Sequence, residues 1–443
     1  MSLNLTAATL AACALLCALL SPHATAADAD TPDEAFGWHG QSTYIWQAKP
    51  AFASPYAGDH SLDAARAKSY SYTGTLALGA RPWRGGELYF DAELVQGVSL
   101  SDLTGLGGLS NGELQKTSGS NPVLYRARAY WRQVWDLGAG AREAVEPELN
   151  QLGGSQPRRR LVLTLGELAV SDLFDNNRYA HDARSQFLNW ALLTHGHYDF
   201  AADARGYSRG AALEWADAGW ALRGGRFMVP IESNGQTLDT HLRTVYGDQL
   251  EFEHSHTLAG RAGTLRLLAF RNVERMANFD DALAAAAGGV PTLDGVRRRQ
   301  AKVGWGLALE QELGATLGAF VRLGRHDGKT EPYSYASIDD AVSAGLNWRG
   351  AAWSRADDEV GLALASNGLS PSHRRFLAAG GSDYFLGDGR LNYGRETIAE
   401  AYYAAALGHG LKLSLDLQHI ARPGYNRDRG PVNLLALRLH AEL

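Results

Sequence analysis

Charged side chains recur at two-residue spacing in two stretches of this chain. Arg126, Arg128 and Arg132 alternate with Tyr125, Ala127, Ala129 and Trp131. Glu87, Tyr89, Asp91 and Glu93 alternate with Leu88, Phe90 and Leu94, and Arg81 ends the series Thr75, Ala77, Gly79, Arg81. In an extended chain, alternate residues share a face. Each stretch therefore presents a row of forked donors or a row of carboxylate acceptors, which hydrogen-bond a polar solute. The bland counterpart is a set of cross-strand ion pairs that only brace a wall.

Other reactive groupings are sparse. His195/His197 and His254/His256 have i, i+2 spacing, which puts each pair on one face of a strand, but no third ligand is in place and no metal is expected. Ser343 and Ser414 lack an orienting base, so no hydrolytic set forms. Both cysteines, Cys13 and Cys17, precede residue 27, which leaves the remainder without thiol chemistry. No cofactor is expected.

These residues need elements to hold them. Residues Leu10 to Leu20 are almost wholly apolar and Ala24-Thr25-Ala26 follows as a small-x-small site, so 1–26 reads as a signal peptide. Leu10-Ala11-Ala12-Cys13 looks like a lipoprotein box, but the apolar stretch before it is too short. Residues 27–443 read as one domain, with no linker or composition shift. That exceeds the ~250–300 residues at which a soluble core stops growing. A net charge of −6 argues against nucleic acid as a partner. No apolar window outside the leader is long enough for a helical span. A closed barrel is the other way to satisfy backbone groups in lipid.

The period along the chain supports a barrel. Leu411, Leu413, Leu415 and Leu417 alternate with Lys412, Ser414, Asp416 and Gln418. Leu435, Leu437, Leu439 and Leu443 do the same against Arg438, His440 and Glu442. Val303, Trp305, Leu307 and Leu309 repeat the pattern. Strands are predicted near 37–48, 69–81, 86–98, 123–136, 159–170, 207–216, 219–230, 243–256, 262–274, 300–312, 315–326, 340–350, 357–366, 395–407, 411–421 and 431–443. The fold class is all-β: a transmembrane antiparallel β-barrel of about sixteen strands, with short periplasmic turns and long extracellular loops. Segment 137–158 is too long for the periplasmic side. Trp38, Trp46, Trp83, Trp131, Trp135, Trp348 and Trp353 fall near strand ends, as interfacial girdles require.

Several blocks resemble the carbohydrate-selective porin family of the OprB type. They include Trp38-His39-Gly40-Gln41, Ser54-Pro55-Tyr56-Ala57-Gly58, and Leu78-Gly79-Ala80-Arg81-Pro82-Trp83 through Glu93 and Gln96-Gly97. Further along stand Asp172-Leu173-Phe174-Asp175, Gln186-Phe187-Leu188-Asn189-Trp190 and Pro423-Gly424-Tyr425-Asn426-Arg427-Asp428-Arg429-Gly430-Pro431. The resemblance implies a sixteen-stranded outer-membrane barrel with a loop-narrowed eyelet selective for monosaccharides. Two departures stand out: the chain ends in Leu443 where such barrels end in an aromatic, and 276–299 matches nothing in the family.

A sugar offers hydroxyls and an apolar ring face, so its recognition takes charged donors and acceptors plus a flat aromatic. Arg81, Glu93, Arg126, Arg128, Tyr89 and Asp91 are the expected constriction residues. Arg126, Arg128 and Arg132 are assigned to the lumen because Arg costs ~2–4 kcal/mol on the lipid face at mid-membrane. Trp190, in the apolar segment 171–206, is the candidate stacking platform. Implied partners are carbohydrate solutes, outer-membrane lipid and lipopolysaccharide, and the barrel assembly machinery acting on the last strand. Monomer and homotrimer both remain open. Competing readings are a small-solute channel without sugar selectivity, a barrel enzyme and a soluble sugar-binding protein.

Overall fold

The computed structural model describes residues 33–138 and 141–443; the expected leader, 1–26, lies outside the described residues. Its strands are β1 (Phe36–Lys49), β2 (Ala67–Trp83), β3 (Gly86–Val98), β4 (Val123–Asp136), β5 (Arg142–Val145) and β6 (Gly154–Pro157). Next come β7 (Arg160–Leu168), β8 (Ser208–Asp217), β9 (Trp220–Phe227), β10 (Tyr246–Leu258), β11 (Arg261–Met276) and β12 (Arg298–Glu312). The last six are β13 (Leu317–His326), β14 (Asp340–Arg349), β15 (Glu359–Gly368), β16 (Glu396–Gly408), β17 (Leu411–Ala421) and β18 (Val432–Glu442).

All but β5 and β6 form one closed antiparallel barrel of sixteen strands in chain order, with β18 returning to β1. The predicted strands correspond to these one to one, with ends displaced by a few residues. At the closing seam Tyr44 faces Leu439 and Trp46 faces Leu437. Beyond it Gly40 and Leu443 exchange backbone hydrogen bonds of 3.1 and 2.9 Å.

Two-residue alternation decides which way each side chain points. On β17, Leu413, Leu415 and Leu417 are 43, 46 and 52% exposed, whereas Ser414, Asp416 and Gln418 are 2% exposed or less. A soluble sheet would bury the leucines. Here they form the outer face and the polar residues line the interior, which is the pattern of a barrel wetted within and lipid-coated outside. Trp38, Trp83, Trp135 and Trp348 stand exposed toward one end of the wall.

The two rims differ. One carries tight turns at 84–85, 218–219, 259–260 and 409–410. Gly85 serves there because its φ is +74° and a Cβ would lie 2.3 Å from the Val134 carbonyl oxygen. The other rim carries the long segments 99–122, 169–207, 277–297 and 369–395. The misfit noted at 137–158 is an insertion on the short-turn rim. There β5 pairs with β6 in a small hairpin, and its connecting segment turns into the barrel mouth. The Leu152 N–H donates to the Tyr89 hydroxyl (3.1 Å), and the Asn150 amide donates to Asp91 (2.9 Å).

Segment 169–207 folds into the barrel and supplies much of its apolar core. Phe174, Phe187, Leu188, Leu192, Tyr198 and Ala201 are fully buried. Arg322, 1% exposed, anchors this segment by donating to Asp175 (2.9 Å) and to the Leu192 carbonyl (2.8 Å). The segment 276–299 includes a helix, Phe279–Ala286, capped by Asn278. It packs on a second helix, Pro371–Ala378, with Phe279 against Phe376 at 5.0 Å between ring centroids.

Candidate functional site

The inner face of β2, β3 and β4 carries the charged rows. From the short-turn rim inward, Arg81 donates to Glu87 (2.9 Å), and Arg132 donates to the other Glu87 oxygen (2.8 Å). Tyr89 stacks on Tyr130 at 5.0 Å. Arg128 bridges Asp91 (3.1 Å) and Asp172 (2.7 Å). Glu93 accepts from Thr75 (2.9 Å), Tyr207 (3.0 Å), Gln115 (3.1 Å) and Arg184 (3.2 Å), and from the Tyr125 hydroxyl. Arg184 also pairs with Glu113 at 3.0 Å. Glu87 and Arg132, and Asp91 and Arg128, thus face each other in register as ion pairs, and Arg81, Glu87, Glu93, Arg128, Arg132 and Arg184 line a cavity of about 750 Å³.

Of the residues predicted for a constriction, Arg81, Tyr89, Glu93 and Arg128 line this cavity, and Asp91 lies behind Arg128. Arg126 does not, which corrects the reading that placed it in the lumen. A bulge at Ala127 sets Arg128 opposite Asp91 but Arg126 opposite Ala92, so Arg126 turns outward. There it donates to Glu167 (2.7 Å), which Arg209 also meets at 3.3 Å. The penalty used to exclude this face holds at mid-membrane and falls to ~0–1 kcal/mol near the interface. Arg126 stands near the long-loop end of β4 with an acid partner. The same bulge turns Tyr125 inward, onto Glu93, where strict alternation had put it outside.

Trp190 lies in one turn of helix, Trp190–Leu193, held by the Asn189 side chain. It lines the cavity but is only 7% exposed. Tyr335 covers one of its faces, stacked at 4.7 Å and 4°. Lys116 Nζ sits 5.5 Å from the ring centroid and donates to the Ser334 carbonyl at 2.5 Å. Burial pushes the Lys116 ammonium down to about 7, and Asp199 and Asp203 offset this only in part. The platform is therefore a Trp–Tyr–Lys cluster rather than an open ring.

Lys116, Glu113, Arg184 and Tyr335 sit on loops, where no period marks them in sequence. His195 and His197 are buried in the inward segment, and His197 meets the Trp305 carbonyl at 2.8 Å. Among the described residues, no group of three His, Cys, Asp or Glu side chains converges to hold a metal.

A sixteen-stranded barrel with an apolar outer wall and a charged, loop-narrowed interior is a porin. The model of the carbohydrate-selective porin family, OprB, matches residues 63–443, and the chain belongs to that family. The structure of Pseudomonas putida OprB at high pH covers 92% of this chain and 94% of its own, with TM-score 0.71 at 16% identity. The low-pH structure of that protein gives 0.49 at 12% identity, covering 92% and 93%. Pseudomonas aeruginosa OccK2 gives 0.46 at 10% identity, covering 92% and 97%. At 16% identity the likeness to the high-pH structure speaks for the fold. No curated protein matches the chain. Family and fold place it among outer-membrane channels rather than enzymes, with sugars as the solutes.

Proposed function

We propose that this porin passes small neutral sugars of monosaccharide size by passive diffusion, and that its eyelet lies where Glu93, Arg128, Arg184 and Lys116 surround the edge of Trp190. The supporting observation is the mixture of groups around one cavity. Guanidinium and ammonium donors, carboxylate acceptors, tyrosine hydroxyls and an aromatic edge fit a polyhydroxylated ring better than an ion of either sign. The carboxylates and guanidiniums are already paired and Lys116 already donates to the Ser334 carbonyl, so a sugar hydroxyl exchanges one hydrogen bond for another. Binding stays weak, as permeation requires. The short-turn rim faces the periplasm and the long-loop rim faces outward, following the usual disposition of such barrels.

Liposome swelling with a size series from monosaccharide to oligosaccharide tests this reading. Glucose-sized solutes are expected to enter and longer oligomers to be retained. Glu93→Gln should slow monosaccharide entry, because Arg184 is then drawn toward Glu113 alone. Equal rates for glucose and a longer oligomer would leave a small-solute channel without sugar selectivity.

A further inference from the structure

The outer wall carries an arginine cluster that the channel does not use. On β11 the outward residues run Leu265, Leu267, Ala269, Arg271, Val273 and Arg275; on β12 they run Leu309, Leu307, Trp305, Val303, Ala301 and Arg299. Arg271 therefore stands at the upper edge of the apolar band on the long-loop side, and Arg275 and Arg299 stand two outward positions further, beyond Val273 and Ala301. In register, Arg275 lies directly across from Arg299, and Arg271 lies across from Val303. All three are exposed.

Cross-strand like charges repel, so an acid neighbour is expected. The nearby acids are taken. Asp248, across from Arg271, is gripped by Arg226 at 2.7 and 2.8 Å. Asp281 pairs with Arg298, and Asp294 and Glu331 pair with Arg297. Asp340, in register with Arg325, pairs with Arg395 at 2.5 Å. Glu274 is buried and points inward. Among the described residues, Arg271, Arg275 and Arg299 form no ion pair.

We propose that Arg271, Arg275 and Arg299 bind the phosphorylated headgroup of an outer-leaflet lipid, whose acyl chains lie along Leu267, Val303 and Trp305 below. Three observations meet here: uncompensated positive charge, its height at the upper edge of the apolar band, and Trp305, 47% exposed, at the band's upper part. An anionic membrane surface attracts such arginines, and guanidinium–phosphate pairs are bidentate. The inference depends on the orientation given above, not on sugar selectivity.

The test uses the full barrel in detergent and native mass spectrometry. The probes are bisphosphorylated lipid A, its dephosphorylated form and inorganic pyrophosphate. Wild type should retain the bisphosphorylated lipid, and the Arg275→Gln/Arg299→Gln double variant should retain about tenfold less. The double Lys variant, which keeps the charges, should retain most of it. Unaltered heat-modifiable mobility and conductance in each variant separate lost binding from lost folding. The proposal is overturned if the Gln variant binds like wild type, if dephosphorylated lipid binds equally, or if pyrophosphate alone binds as strongly. Barrel–barrel association through this face, abolished by the double Gln variant, would overturn it too.

Discussion

Lys116 is the residue whose charge is most easily tested. Its ammonium titrates near pH 7 because burial beside Trp190 disfavours the charged form. The cavity therefore holds one more positive charge at pH 6 than at pH 8.5. Reversal potentials in planar bilayers should shift toward cation preference as the pH rises through this range. Lys116→Met should remove that shift and stay cation-preferring throughout; a pH response unchanged in the variant would place the titrating group elsewhere. Sequence could not single out Lys116, since it lies in a loop with no period. Glu93 and Arg81 were legible because alternation holds along β3 and along β2 as far as Ala80, and Arg128 because it lies on the short-turn side of the β4 bulge, in phase with Arg132. Alternation fails at one residue of β4: a single extra alanine moved Arg126 outside and Tyr125 inside, and alanine carries no bulge signature of its own.

At the scale of elements, the β5–β6 hairpin is the departure with the clearest consequence. It turns a connection on the short-turn rim inward and ties it to the wall through Tyr89 and Asp91. The Arg81 guanidinium also donates to the Gly153 carbonyl at 3.4 Å. The hairpin thus sits over the mouth that Arg81 and Arg132 line. Replacing 141–157 with a two-residue turn should leave heat-modifiable mobility intact, because the sixteen-strand ladder is untouched. Single-channel conductance should increase. An unchanged conductance would mean that the eyelet alone limits flow. The length of 137–158 was visible in sequence as an anomaly, but its inward course was not. That course depends on contacts with strands remote in the chain.

For the molecule as a whole, the long-loop end is held by a buried ionic knot. His373 is hydrogen-bonded to Asp339 (3.1 Å) and Asp383 (2.8 Å) and stacks on Phe279 at 4.2 Å. It thereby joins segments 277–297, 327–339 and 369–395. Burial alone would lower the imidazole, but the two carboxylates outweigh it and hold it at about 9. Folding therefore favours the charged form. That contribution is complete below His373's ordinary value near 6.5 and is lost as pH rises through about 9. Asp339 is held low, so its share is present above the ordinary carboxylate value and is lost on acidification. The cap should be tightest in mildly acidic medium. Hydrogen exchange in 369–395 should quicken above pH 9 in wild type. His373→Leu should quicken it at every pH, since breaking such a buried pair costs about 3–5 kcal/mol. A variant as protected as wild type at pH 6 would remove the knot from the account. The barrel itself was readable because period two is written into every strand. The knot was not, since its members come from three separate loops.

The seam between β1 and β18 carries a consequence for biogenesis. The partners there, such as Tyr44 and Leu439, sit at opposite ends of the polypeptide. Loop-closure entropy makes such a pairing late. Until it forms, both flanking edges offer unpaired amides that hydrocarbon cannot solvate. A ribosome that stops short of Val432 would yield an unclosed ribbon rather than a smaller pore, so truncation should act as an all-or-none lesion.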